Sequence, residues 1–123
     1  MRGDYLTSLP KILIVDDQYG VRTLLTLALD NYDVREAVNG KEALDIVKEW
    51  KPDLIIIDMK MPGLTGLETI STIKKMDVEV KILLMTAYDN DGLPNSDLGI
   101  AGFISKPFDL DKLISMVDEI INL

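Results

Sequence analysis

Leu54-Ile55-Ile56-Ile57-Asp58 sets four apolar residues side by side, three of them β-branched, and stops them with a carboxylate. A strand with one wet face alternates apolar and polar residues. One that is apolar at every position is buried on both faces, as in a parallel sheet covered by helices. Ile12-Leu13-Ile14-Val15 and Val80-Lys81-Ile82-Leu83-Leu84-Met85 have the same character. A weaker run is Val34-Arg35-Glu36-Ala37, and a short one is Gly102-Phe103-Ile104-Ser105. Between them, apolar residues recur at helical spacing over 21–29, 42–50, 67–76 and 110–121. Two of these stretches open with capping signals, Asn39-Gly40-Lys41-Glu42 and Thr65-Gly66-Leu67-Glu68. Five strands alternating with helices predict an open, doubly wound α/β domain with helices on both faces.

The fourth connection breaks the rhythm. Residues 89–99 carry two Gly and a Pro where a helix should stand. An interior Pro costs a helix about 3 kcal/mol, and a Gly about 1, relative to Ala. At most one helical turn is expected there, the rest being irregular. Residues 1–10 read as an N-terminal arm. Residues 11–123 read as a single domain with no output domain attached.

Composition excludes several kinds of chemistry. Thirteen Lys and Arg against 21 Asp and Glu give a net charge of −8, the wrong sign for gripping nucleic acid or an anionic membrane. The chain has no Cys, hence no thiol nucleophile and no thiolate-bound metal. It also has no His, the commonest general base and transition-metal ligand. No run is long enough to span a bilayer and no cleavable leader is evident, so a cytoplasmic protein is expected.

The polar residues fall at telling positions. The strand-like runs end in Asp16-Asp17, Asp58, Thr86 and Lys106. All strands of a parallel sheet end on one edge, and ligands of open α/β sheets bind in the crevice there. Three carboxylates brought together repel unless a cation sits among them. With no His or Cys on offer, oxygen ligands suit Mg²⁺. Lys106 adds a point charge for a phosphoryl oxygen, and the Thr86 hydroxyl can donate to another. An Asp facing such cations is a nucleophile toward phosphorus. Each residue also has an ordinary reading: Asp16 and Asp17 as helix N-caps, Asp58 as a turn residue, Thr86 as a β-branched strand residue, Lys106 as a surface lysine. Those readings must all hold at one edge of one sheet, and jointly the functional reading prevails.

In order along the chain, Asp16-Asp17, Asp58-Met59-Lys60-Met61-Pro62-Gly63, Met85-Thr86-Ala87 and Lys106-Pro107-Phe108 resemble the receiver domain of two-component response regulators. The likeness covers nearly everything from Lys11 to Leu123. Asp16-Asp17-Gln18-Tyr19-Gly20-Val21-Arg22 and Met85-Thr86-Ala87-Tyr88 are more narrowly similar to receivers that stand alone in sporulation phosphorelays. The resemblance implies a flavodoxin-like sheet of order 2-1-3-4-5 and a phosphoacceptor at Asp58. It implies Mg²⁺, or Mn²⁺ in its place, held by Asp16, Asp17, Asp58 and the carbonyl of Lys60. Thr86 and Lys106 are expected on the phosphoryl oxygens, Phe103 as the aromatic partner of the Thr86 switch, and a cis bond before Pro107. Gln18, Tyr19, Val21, Leu24, Pro107 and Phe108 are expected to form a rim that docks a histidine kinase or histidine phosphotransferase. The chain itself is expected to be monomeric and to bind no nucleic acid. Lys60 and Tyr88 stand where an attacking water would approach, which implies slow hydrolysis of the phosphorylated protein.

Other classes fit less well. A receiver-like docking module independent of phosphate is motivated by the irregular 89–99 segment and opposed by the intact set of site residues. A flavin carrier on the same fold needs Ser, Thr and Gly in its first loop, where this chain has Asp16-Asp17-Gln18-Tyr19-Gly20. An Asp-nucleophile phosphatase wants a second acid two residues after the nucleophile, and position 60 is Lys.

Overall fold

The strongest apolar runs become the three central strands. In the computed structural model, which describes residues 9–87 and 99–123, β1 (Lys11–Val15), β3 (Leu54–Asp58) and β4 (Lys81–Thr86) are buried almost throughout. The weaker runs, β2 (Asp33–Ala37) and β5 (Gly102–Ser105), take the two edges, where one flank faces solvent. All four pairings are parallel, and the order is β2-β1-β3-β4-β5. This is the doubly wound, flavodoxin-like sheet that the sequence predicts.

Alternation along the strands divides the core in two. Leu13, Val15, Ile55, Ile57, Ile82 and Leu84 point to one face, where α2 (Gly40–Trp50) and α3 (Gly66–Lys74) cover them. Ile12, Ile14, Leu54, Ile56, Leu83 and Met85 point to the other, beneath α1 (Tyr19–Ala28) and α4 (Leu110–Ile121). Burying each such side chain contributes about 1.5–3 kcal/mol. Consecutive apolar residues are therefore needed at every central strand position.

Helix boundaries fall within about two residues of those read from spacing, and the caps explain where they begin. Thr65 and Glu68 form a complete capping box: the Thr65 hydroxyl accepts from the Glu68 N–H, and the Glu68 carboxylate accepts from the Thr65 N–H. Asn39 accepts from the Glu42 N–H at 2.8 Å, but Glu42 reaches past it to the Val38 N–H at 3.2 Å. The N-cap of α1 is Gln18, without a side-chain cap bond, so neither Asp16 nor Asp17 caps that helix. The irregular connection expected over 89–99 lies, but for Gly99, outside the described residues. So do Tyr88 and residues 1–8 of the N-terminal arm. Among the described residues, no helix is long and apolar enough to cross a membrane.

Candidate functional site

Strand register delivers the strand-end residues to one place. Val15 pairs with Ile57 and Asp58 with Met85, so Asp16, Asp58 and Thr86 emerge at the same edge from adjacent strands. The fifth strand joins them through its end: the Lys106 N–H donates to the Thr86 carbonyl at 2.7 Å. The Lys106-Pro107 bond is cis, as expected. Gly66, the first residue of α3, lets this helix seat against the end of β3. Its N–H donates to the Met59 carbonyl at 3.0 Å, and a Cβ built there would lie 2.2 Å from the Asp58 carbonyl oxygen.

Carboxylate oxygens of Asp16, Asp17 and Asp58 lie within 4.8 Å of one another. Asp16 is fully buried, Asp58 nearly so, and Asp17 is exposed. Lys106 Nζ stands 2.7 Å from Asp16 Oδ2 and 3.3 Å from Asp58 Oδ2, with Gln18 Oε1 at 3.5 Å. The Lys60 N–H approaches Asp58 Oδ1 at 3.4 Å. The Thr86 hydroxyl donates to the Met59 thioether at 3.4 Å.

Burial pushes the Asp58 carboxyl above its ordinary value of 3.8. The neighbouring Asp16 charge adds to that rise, while the Lys106 ammonium and the Lys60 N–H oppose it. Among the described residues, the Lys106 ammonium pairs with two of the three clustered acids. A second hard cation would relieve the surplus, and three carboxylates with no nitrogen or sulfur donor fit an ion of the Mg²⁺ type.

The remaining candidates divide. Tyr19 is 73% exposed and Leu24 46%, and Gln18 and Pro107 are exposed as well. Val21 and Phe108 are half-buried and pack against the α1/α4 side of the core, so only part of each faces outward. Phe103 is half-buried on the α2/α3 side. The Lys60 side chain is exposed. Sequence reasoning missed Arg22 and Glu36, whose side chains join behind Asp16. A charge pair fourteen residues apart, between a helix and an edge strand, leaves no local signal.

A sheet of this order, bearing an acidic cluster and a lysine at its C-terminal edge, places the chain in a recognised class. The response regulator receiver domain family matches residues 12–118, and the chain belongs to that family. It is similar to Sporulation initiation phosphotransferase F of Bacillus subtilis (strain 168), at 42% identity over 117 residues, 92% of this chain and 94% of that protein. The uncharacterized transcriptional regulatory protein YkoG of the same strain is 34% identical over 110 residues. That match covers 86% of this chain, which spans about half of YkoG's length (48%). Among solved structures, the response regulator TrrA of Thermotoga maritima, in complex with Mg²⁺-BeF, superposes with a TM-score of 0.81 at 35% identity, covering 91% of this chain and 99% of that one. The receiver domain of a Luxo repressor protein from Vibrio parahaemolyticus gives 0.87 at 25% identity, covering 94% and 92%.

Proposed function

We propose that Asp58 accepts a phosphoryl group from a phosphohistidine on a partner protein. The observation that carries this is the position of Asp58 Oδ2, 3.3 Å from the Lys106 ammonium and beside the Asp16 and Asp17 carboxylates. An Asp58 oxygen forms the new bond to phosphorus as the P–N bond to the partner's imidazole breaks. The imidazole keeps that electron pair and takes up a proton. The products are aspartyl phosphate and neutral histidine.

Asp16, Asp17 and Asp58 would hold a Mg²⁺ ion, or Mn²⁺ in its place, with the Lys60 carbonyl as a further ligand. The bound ion supplies positive charge that offsets the phosphoryl oxygens and the crowded acids. Lys106 stays beside Asp58 and pairs with a phosphoryl oxygen, while the Thr86 hydroxyl turns from Met59 to another. That turn draws the end of β4 toward the site, and Phe103 repacks behind it.

Residues 1–123 contain no His, so the donor histidine lies outside them, on a histidine kinase or histidine phosphotransferase. The outward parts of Gln18, Tyr19, Val21, Leu24, Pro107 and Phe108 form the docking rim around the acceptor. From Asp58 the group passes to a second partner or acts as a conformational signal. The likeness to a sporulation phosphotransferase over 94% of that protein supports the relay reading.

Incubation with acetyl phosphate, with and without Mg²⁺, tests the proposal by intact mass. One added phosphoryl group is expected only with Mg²⁺, lost in alkali and absent from Asp58→Asn. Incorporation that persists in Asp58→Asn overturns the assignment. Partner binding unchanged by phosphorylation and by Asp58→Asn would instead identify a docking module independent of phosphate.

A further inference from the structure

Asp16 has each of its hydrogen-bonding groups engaged. Its N–H donates to the Ala37 carbonyl at 3.2 Å, Oδ1 accepts the Gln18 N–H at 2.9 Å, and Oδ2 accepts Lys106 Nζ at 2.7 Å. The fourth contact comes from α1: Arg22 Nη1 donates to the Asp16 main-chain carbonyl at 2.9 Å. Arg22 is itself held from the far side. Its Nε donates to Glu36 Oε1 on β2 at 3.1 Å, and the Thr26 hydroxyl donates to Glu36 Oε2 at 2.9 Å. The Arg22 side chain is only 11% exposed, and its guanidinium lies 5.7 Å from the centre of the Tyr19 ring. A planar guanidinium can serve a carbonyl and a carboxylate at once, whereas a lysine has a single nitrogen.

We infer that Arg22 is a positioning residue for the divalent-ion site, acting through the Asp16 carbonyl, with Glu36 as its counter-charge. This rests on the proposal above that Asp16, Asp17 and Asp58 hold Mg²⁺. Two effects of Arg22 oppose each other. Fixing the Asp16 main chain fixes the direction of its carboxylate, which favours the ion. A guanidinium near the cluster repels the ion, and Glu36 cancels most of that field. The pair therefore orients the acids while adding no net charge. This explains why a carboxylate stands on an edge strand next to a site already rich in acids.

Substitutions that keep the net charge separate geometry from electrostatics. Arg22→Lys keeps the cation and loses the two-ended bridge. Arg22→Gln combined with Glu36→Gln removes both charges together. Isothermal titration of the whole chain with MgCl₂ reads the affinity directly, and thermal unfolding without Mg²⁺ shows whether each variant folds. Both variants are expected to bind Mg²⁺ about ten-fold more weakly, the usual scale for removing a group that orients a metal ligand. If the double variant does not fold, Arg22→Lys decides alone. Folded variants that bind within about two-fold of the parent overturn the inference, since an orienting partner is worth more than that. A parent chain that binds no Mg²⁺ overturns the underlying site assignment instead, so the two failures are distinguishable.

Discussion

The two edges of the sheet carry similar residue types and use them in opposite ways. Where the strands begin, charged side chains are matched to the main chain. Lys11 Nζ donates to the carbonyl of Trp50, the last residue of α2, at 3.1 Å, and Lys81 Nζ to that of Ile120 in α4 at 2.9 Å. Both ammonium groups sit at helix C-termini, where they complement the dipole. Asp53 accepts the Lys11 N–H at 2.8 Å. Where the strands end, three carboxylates crowd together, the Lys106 ammonium pairs with two of them, and a buried Asp58 holds its proton more tightly than usual. The first edge is finished as a fold. The second gathers acids whose mutual repulsion a divalent cation would offset, which sets it apart as the candidate site. A cleft of about 930 Å³ opens at the first edge, lined among others by Lys11, Asp33, Lys51, Asp53 and Lys81. Its charges are of mixed sign, and several already have partners.

The sharpest way to break this contrast is at Asp58. Asp58→Asn keeps the shape and removes the nucleophile, so phosphoryl incorporation from acetyl phosphate should vanish, as followed by intact mass. Lys106→Met should slow incorporation by about 10²-fold, the scale for losing one preorganised charge at a reacting group. A time course of the phosphorylated fraction reads that rate.

A third effect runs through stability. A buried carboxyl whose pKa is raised by folding contributes stability while protonated and loses it as pH climbs from the ordinary value of 3.8 through the raised one. Without Mg²⁺, Asp58→Asn should therefore melt above the parent at neutral pH. The two melting curves should converge below the ordinary carboxylate range, and adding Mg²⁺ should narrow the gap by stabilising only the parent. The smallest effect belongs to the other edge. Lys81→Met should cost under about 1 kcal/mol in urea unfolding, the usual worth of a helix C-terminal cation, and leave the rate of phosphoryl incorporation unchanged.

The sequence shows these two edges unequally. Three apolar runs dictate the central strands, and their polar last residues announce the site, because a parallel sheet sends every strand end to one side. Asp58, Thr86 and Lys106 were legible for that reason alone. The Arg22–Glu36 bridge was not, since it depends on how α1 lies over β2. Nor was the link between Tyr32 and Asp118, whose hydroxyl–carboxylate hydrogen bond joins the start of β2 to α4 across 86 positions. Burial there, with the Asp118 carboxylate beside it, pushes the Tyr32 phenol up to about 12. Such contacts are set by packing and carry no periodicity.

Amide spectra recorded during titration with Mg²⁺ and then beryllofluoride, a phosphoryl mimic, test the central claim most directly. The account predicts changes centred on Asp16, Asp17, Asp58, Lys60, Thr86 and Lys106, silence at Lys11, Asp53 and Lys81, and no beryllofluoride response in Asp58→Asn. A response centred on the opposite edge, or one that survives in Asp58→Asn, would contradict it.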